Sequence, residues 1–287
     1  MQPFWLIVMF VLGGIVGSFL NVCIYRLPRD KSLWNPRRSF CPHCHEQIAW
    51  YDNIPLVSWF ALNAQCRHCG SHIAGRYVAV ELLTAVTFSG AYALLSARGE
   101  SPQAIAVYLG LFCVLIVGSF IDIELRIMPN SLTLGGAMLA PVISVLAPQI
   151  HSNTWWAFGR GYMFTQDQVW GPLLACFIGM AVGSAATWLS GWLGKRLFRK
   201  EAMGLGDVKF MALLGGILGW QQVLLVFFLA PLFGAVIGII HMLRTRDHHI
   251  PYGPFLSAAT VIAIFFGDKI FAAIGITELL GSGPTTP

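Results

Sequence analysis

Residues 104–122 read AIAVYLGLFCVLIVGSFID. Eighteen residues pass without a charge, and the run then ends on an aspartate, Asp122. Wound as a helix, eighteen residues rise about 27 Å, close to the thickness of a bilayer's hydrocarbon core. The stretch therefore reads as a transmembrane helix with a carboxylate at its end. Seven comparable runs lie at 4–23, 78–97, 132–147, 171–193, 208–220, 223–242 and 254–274. The run at 208–220 is short and interrupted by glycines, so it is tilted, re-entrant or extended by its flanks. The first run has no basic segment before it and no small-residue cleavage site, and reads as a retained span.

Composition agrees. Of 287 residues, 56% are hydrophobic and 11% charged, and the mean hydropathy is +0.67. Soluble domains carry about 25% charge. The expected fold is an all-α polytopic membrane protein of about eight transmembrane helices. The net charge of +5 is too small to suggest nucleic acid as a partner, and it works instead as a topology signal. With the N-terminus outside, the inside loops hold 15 of the 18 Lys and Arg residues, among them Arg37, Arg38, Arg199, Lys200 and Arg246. The outside segments hold Arg98, Arg160 and Lys269. This follows the positive-inside rule.

The chain divides into a first span at 1–25, a polar cytoplasmic domain at 26–77, a seven-helix membrane domain at 78–275 and a tail at 276–287. An external loop at 148–170 carries Trp155, Trp156, Phe158 and Trp170, which suits an interfacial aromatic belt. No internal repeat or low-complexity tract is evident in the sequence.

Within the polar domain, Cys41 and Cys44 form one CxxC and Cys66 and Cys69 another, 21 residues apart. Each CxxC turn aims two thiolates at one point, and two such turns complete a tetrahedron around Zn²⁺. A redox dithiol needs a βαβ setting that is missing here, and cytoplasmic disulfides are rare. His43, His45, His68 and His72 are nearby, but four cysteines already close a structural site. Cys23, Cys113 and Cys176 fall in apolar runs and read as small buried hydrophobes.

Few acids lie in or beside the spans: Glu81, Asp122, Glu124, Asp207 and Asp268. Asp207 follows Gly204 and Gly206 in EAMGLGDVKF (201–210), a backbone open to close approach by a substrate. Asp122 and Asp207 reach the same cytoplasmic face. Two carboxylates at the edge of a low-dielectric region can share peptide hydrolysis, one activating water and the other polarising the carbonyl. Helix-end dipoles point to Asp207 as base and Asp122 as acid. The plainer alternatives stay open: an N-cap role for Asp207, and an interfacial charge paired with Arg126 for Asp122.

The pair Asp122 and GLGD (204–207), with Pro129 seven residues after Asp122, resembles the GxGD membrane aspartyl proteases. GSFLNVCIYRLPR (17–29), the CxxC pairs around WYDNIPLVSW (50–59), RYVAVELLT (76–84) and PYGPFLS (251–257) narrow this to the bacterial type IV prepilin peptidase family. The resemblance implies an inner-membrane enzyme with its active site at the cytoplasmic face. It would remove the basic leader of type IV prepilins or type II secretion pseudopilins. It would then N-methylate the new N-terminal residue, usually phenylalanine, with S-adenosylmethionine. It implies Asp122 and Asp207 as catalytic residues, supported by Gly204, Gly206 and Lys209, and Cys41, Cys44, Cys66 and Cys69 as zinc ligands. Candidates near a methyl-donor site are Tyr51, Asp52, Arg76 and Glu81. Individually, an Asx-turn explains Asp52 and pairing with Arg76 explains Glu81. Two departures stand out: Ala64 where the family often has glycine, and Met128-Pro129-Asn130 where Ile/Leu-Pro-Asp is common. The first lies in the domain linked to methylation, so a peptidase without methylation is the alternative reading. A proton-coupled transporter using the two aspartates is a further one.

Overall fold

The computed structural model describes residues 2–35, 39–151, 169–198, 204–245 and 251–275. Trp155, Trp156, Phe158, Arg37, Arg38, Arg160, Arg199, Lys200, Arg246 and the tail at 276–287 lie outside the described residues. The named elements are helical: α1 (Gln2–Arg26), α2 (Val57–Ala61), α3 (Arg76–Ala97), α4 (Pro102–Leu125), α5 (Asn130–Leu146), α6 (Trp170–Phe198), α7 (Leu205–Leu218), α8 (Trp220–Thr245) and α9 (Gly253–Ala273). Each of the eight apolar runs lies on its own helix. Among the described residues, six helices are long and apolar enough to cross a membrane, while α5 is apolar but shorter. The chain is a multi-pass membrane protein.

Local chemistry sets the boundaries. Ser101 caps α4 through the Ala104 N–H, 3.2 Å from its hydroxyl, with Pro102 at the first helical position. Arg126 leaves the helix at φ +55°, and Pro129 then disfavours helix for the residue before it, so α5 begins afresh at Asn130. Gly219 at φ +81° separates α7 from α8. Pro141 and Pro231 sit inside α5 and α8.

Two compact units result, Met1–Ile121 and Asp122–Pro287. In the first, α1 packs along α3, and a Cβ placed on Gly17 would lie 2.7 Å from the Glu81 Cα, so only glycine permits this approach. In the second, α7 packs against α5, α6 and α8, with Gly179 of α6 meeting Gly215 of α7 backbone to backbone. Phe210, Met211, Leu213 and Leu214 are fully buried there. The run at 208–220 is short because α7 is enclosed by protein for most of its length and need not match the bilayer.

The polar domain contains two knuckles of the same build. Phe40 bridges Gln47 and Gln65 bridges His72; the Cys41 N–H donates to the Glu46 carbonyl as the Cys66 N–H does to that of Ser71, each 2.9 Å. His45 and Gly70, four residues after the first cysteine of each, both take positive φ. This corrects the expectation of no internal repeat. The ten-residue units at 39–48 and 64–73 match at Cys41/Cys66, His43/His68, Cys44/Cys69 and Ile48/Ile73 and differ elsewhere, because hydrogen bonding around a CxxC turn constrains few other side chains.

Candidate active site and metal centre

Asp122 sits in the last turn of α4 and Asp207 in the first turn of α7. The Asp122 side chain is buried, and its Oδ2 accepts the Gly253 N–H at 2.7 Å, at the start of α9. Asp207 lies within electrostatic reach of Asp122, and its carboxylate rests against the Gly204 amide. Gly204 is the cap of α7, so the N-cap alternative for Asp207 does not hold. Three residues on, Asp207 reaches back to the cap, as the acid of a capping box does. The charge of Arg126 is felt at Asp122.

Met128 lies between the two halves of this site: a Cβ on Gly206 would be 3.0 Å from its Cβ, and one on Gly253 would be 2.5 Å from its Cε. Lys209 donates to Asn130 Oδ1 at 2.8 Å, tying the first turn of α7 to that of α5. Tyr252, the residue before α9, has its hydroxyl buried without a hydrogen-bond partner among the described residues and stands within electrostatic reach of Asp207. Gly253, Tyr252 and Met128 carried no assigned role in the sequence reading. Only the PYGPFLS segment signalled the first two.

The expected base and acid roles rested on helix ends. The structure adds an opposing influence, because Asp122 ends α4 but also faces the N-terminus of α9 through the Gly253 amide. Helix-end placement alone therefore does not divide the roles. A Cβ on Gly253 would stand 2.9 Å from Asp122 Oδ2. Gly253→Ala is expected to displace that carboxylate and lower cleavage on the order of 100-fold while the protein still folds. Steady-state cleavage beside a thermal melt checks this.

In the first unit, the sulfur atoms of Cys41, Cys44, Cys66 and Cys69 all lie within 4.8 Å of one another, with Cys41 and Cys69 at 3.9 Å. Zn–S bonds of about 2.3 Å in a tetrahedron place sulfurs about 3.8 Å apart, so the donor set fits zinc. Among the described residues this is the one cluster of its kind, and no histidine joins it. Burial pushes the Cys41 thiol up, but the Cys44 and His43 amides and the Ser71 hydroxyl outweigh it and bring it down to about 6. The Glu46 amide pulls Cys44 down, but burial and hydrogen bonds to the other three thiols push it up to about 11. Four thiolates together require a cation.

Of the four methyl-donor candidates, Tyr51 and Asp52 both meet Arg67. Asp52 is held by Arg67 through two hydrogen bonds of 2.8 and 2.6 Å, and that guanidinium keeps its carboxyl below the usual range. The Ile54 N–H goes to Ser58 Oγ at 2.9 Å, so the Asx-turn reading fails. Glu81 accepts the Leu56 N–H at 2.7 Å, and Arg76 lies over the Tyr77 ring. Tyr51 is half exposed beneath Arg67.

Ala64 takes φ +56°, the conformation for which glycine is suited, and still makes both backbone hydrogen bonds, to Trp59 and from Ile73. Substituting glycine relieves about 1–2 kcal/mol of left-handed strain. It forfeits about 0.8 kcal/mol of buried methyl and about 0.4–1 kcal/mol through the freer unfolded chain. Ala64→Gly is therefore expected to leave the melting temperature and methylation nearly unchanged, as differential scanning and a methylation assay would show.

Two family profiles cover the chain: the bacterial peptidase A24 N-terminal domain at residues 11–95, and the type IV leader peptidase family at residues 109–239. Among relatives named prepilin leader peptidase/N-methyltransferase, one from Aeromonas hydrophila is 36% identical over 288 residues, 91% of this chain and 90% of its own. The chain belongs to the type IV leader peptidase family. A Myxococcus xanthus (strain DK1622) relative of that name is 39% identical over 243 residues, 85% of this chain and 65% of its own length. One from Burkholderia pseudomallei (strain 1026b) is 33% identical over 92% of this chain and 86% of its own. No solved structure matches significantly. The four cysteines fall in the first matched stretch and both aspartates in the second, while Tyr252 and Gly253 lie beyond it.

Proposed function

We propose that this chain cleaves the basic leader from type IV prepilins or type II secretion pseudopilins and N-methylates the new N-terminal residue with S-adenosylmethionine. The observation that carries the peptidase half is the pair Asp122 and Asp207, drawn from separate helices into one electrostatic neighbourhood. The family's names carry the methyltransferase half. The active site lies at the cytoplasmic face of the inner membrane with the N-terminus outside, supported by the 15 of 18 basic residues on that side. A basic leader in the cytoplasm and an apolar helix in the bilayer bring the scissile bond to the depth of the two aspartates.

In the reaction, Asp207 takes a proton from water as the water oxygen bonds to the scissile carbonyl carbon. Asp122 gives its proton to the carbonyl oxygen, forming a neutral gem-diol. Asp207 then protonates the amide nitrogen, the C–N bond breaks, and Asp122 recovers a proton from the diol, restoring both groups. The Gly253 N–H on Asp122 Oδ2 favours the carboxylate, so Asp122 takes the acid role through the like charge of Asp207 beside it. The glycines before Asp207 leave room for the substrate backbone. Cys41, Cys44, Cys66 and Cys69 hold structural zinc, which organises the knuckles and takes no part in cleavage. S-adenosylmethionine supplies the methyl group, and no residue of the chain is assigned to its binding.

Intact-mass spectrometry of a prepilin incubated with the purified protein, with and without S-adenosylmethionine, tests the reading. Loss of the leader plus one methyl mass is expected. Loss of the leader alone supports the peptidase without methylation, and an untouched cognate prepilin overturns the proposal and reopens the transporter.

A further inference from the structure

The turn between the two knuckles does not stay with the polar domain. The Pro55 side chain packs beside Gly14 of α1, and the Leu56 N–H donates to the Glu81 carboxylate of α3. Gly14 lies twelve residues before the end of α1 at Arg26, about 18 Å along the axis. With 25 residues, α1 is about 37 Å long, some 7 Å more than a hydrocarbon core of about 30 Å. Even with all that excess beyond the Arg26 end, Gly14 lies about 10 Å inside the core. Glu81 is five residues into α3, about 7.5 Å from its start, and is within the core by the same reasoning.

Irregular backbone survives at that depth only when its polar groups are satisfied. Here they are. Ile54 donates to Ser58 Oγ, Pro55 has no N–H, Leu56 donates to Glu81, Val57 to the Pro55 carbonyl and Ser58 to the Ile54 carbonyl. Leu56 is held at φ +64°, a conformation that an aliphatic side chain adopts only under constraint, and the Glu81 bond supplies one. Meanwhile Ile54, Val57 and Phe60 turn outward, the last two at 60% and 65% exposure. A polar domain in water would not keep such an apolar row uncovered, whereas α1 and α3 bear equally exposed apolar rows facing lipid.

We infer that residues 54–60 form a re-entrant wedge in the leaflet nearer Arg26, with Ile54, Val57 and Phe60 against phospholipid acyl chains and Glu81 as the anchor inside. The four-cysteine module is thereby fixed to the membrane surface, with the exposed Trp50 and Tyr51 next in sequence and suited to the headgroup level. The functional assignment plays no part in this inference.

The test places the photoreactive residue p-benzoylphenylalanine at Val57, at Phe60 and, as a control, at Glu46, exposed on the first knuckle. The full-length protein is reconstituted in phosphatidylethanolamine and phosphatidylglycerol vesicles, irradiated and weighed by intact-mass spectrometry. Phospholipid adducts at Val57 and Phe60 and none at Glu46 are expected. Absence of lipid adducts at the first two, equal lipid adducts at Glu46, or adducts at Val57 and Phe60 only with another polypeptide would each overturn the wedge.

Discussion

Metal removal from the four-cysteine module is expected to abolish N-methylation while leader cleavage continues. Residues 39–73 have almost no core of their own: only Cys41, Ser58 and Ala64 are buried. A module of that kind depends on its metal, and structural zinc contributes about 10–16 kcal/mol in small zinc folds. That matches or exceeds the stability of a typical whole domain, about 5–15 kcal/mol. Chelation should therefore open both knuckles, and Cys44→Ser should do the same. The aspartates belong to the other compact unit, so their chemistry should persist. Hydrogen exchange over 39–73, beside separate cleavage and methylation assays on one chelated sample, checks this. Methylation by the metal-free protein, or cleavage lost in step with it, would count against the assignment.

Asp207→Asn is expected to reduce leader cleavage by 10³-fold or more, on the order of the upper range for a positioned acid or base. The substitution keeps the shape of the side chain and an oxygen to face the Gly204 amide, so the melting temperature should hold. Methylation of a pilin already freed of its leader should continue if Asp207 serves cleavage alone, as proposed. An unaltered cleavage rate with a folded protein would return Asp207 to its capping role. The pH profiles of Asp207→Asn and Asp122→Asn should lose different limbs, and loss of the same limb in both would refute separate roles.

The membrane fold and the four-cysteine cluster were legible because each depends on residue type at short range. An uncharged run of eighteen residues has few other readings, and two CxxC turns carry their geometry with them. What escaped the sequence reading depends on contacts between distant segments. Gly253 binds Asp122 from 131 positions away. Glu81 looked like an interfacial acid for Arg76, five residues back, and its reach to Leu56 could not be foreseen. Asp52 looked like a turn former and instead pairs with Arg67. Ala64 was a departure from glycine until its φ showed that the backbone keeps the left-handed conformation regardless. Residues 54–60 read as part of a polar domain by their neighbours in sequence, and only their packing on α1 and α3 shows their depth.

The claim that Asp122 and Asp207 form one catalytic unit is tested most directly by a cycle of three variants: Asp122→Asn, Asp207→Asn and the two together, each assayed for prepilin cleavage. Members of one unit are strongly non-additive, since losing either already stops the shared step. The account predicts that the double variant cleaves no more slowly than the slower single one. Losses that multiply, or near-normal cleavage by either single variant, would contradict it.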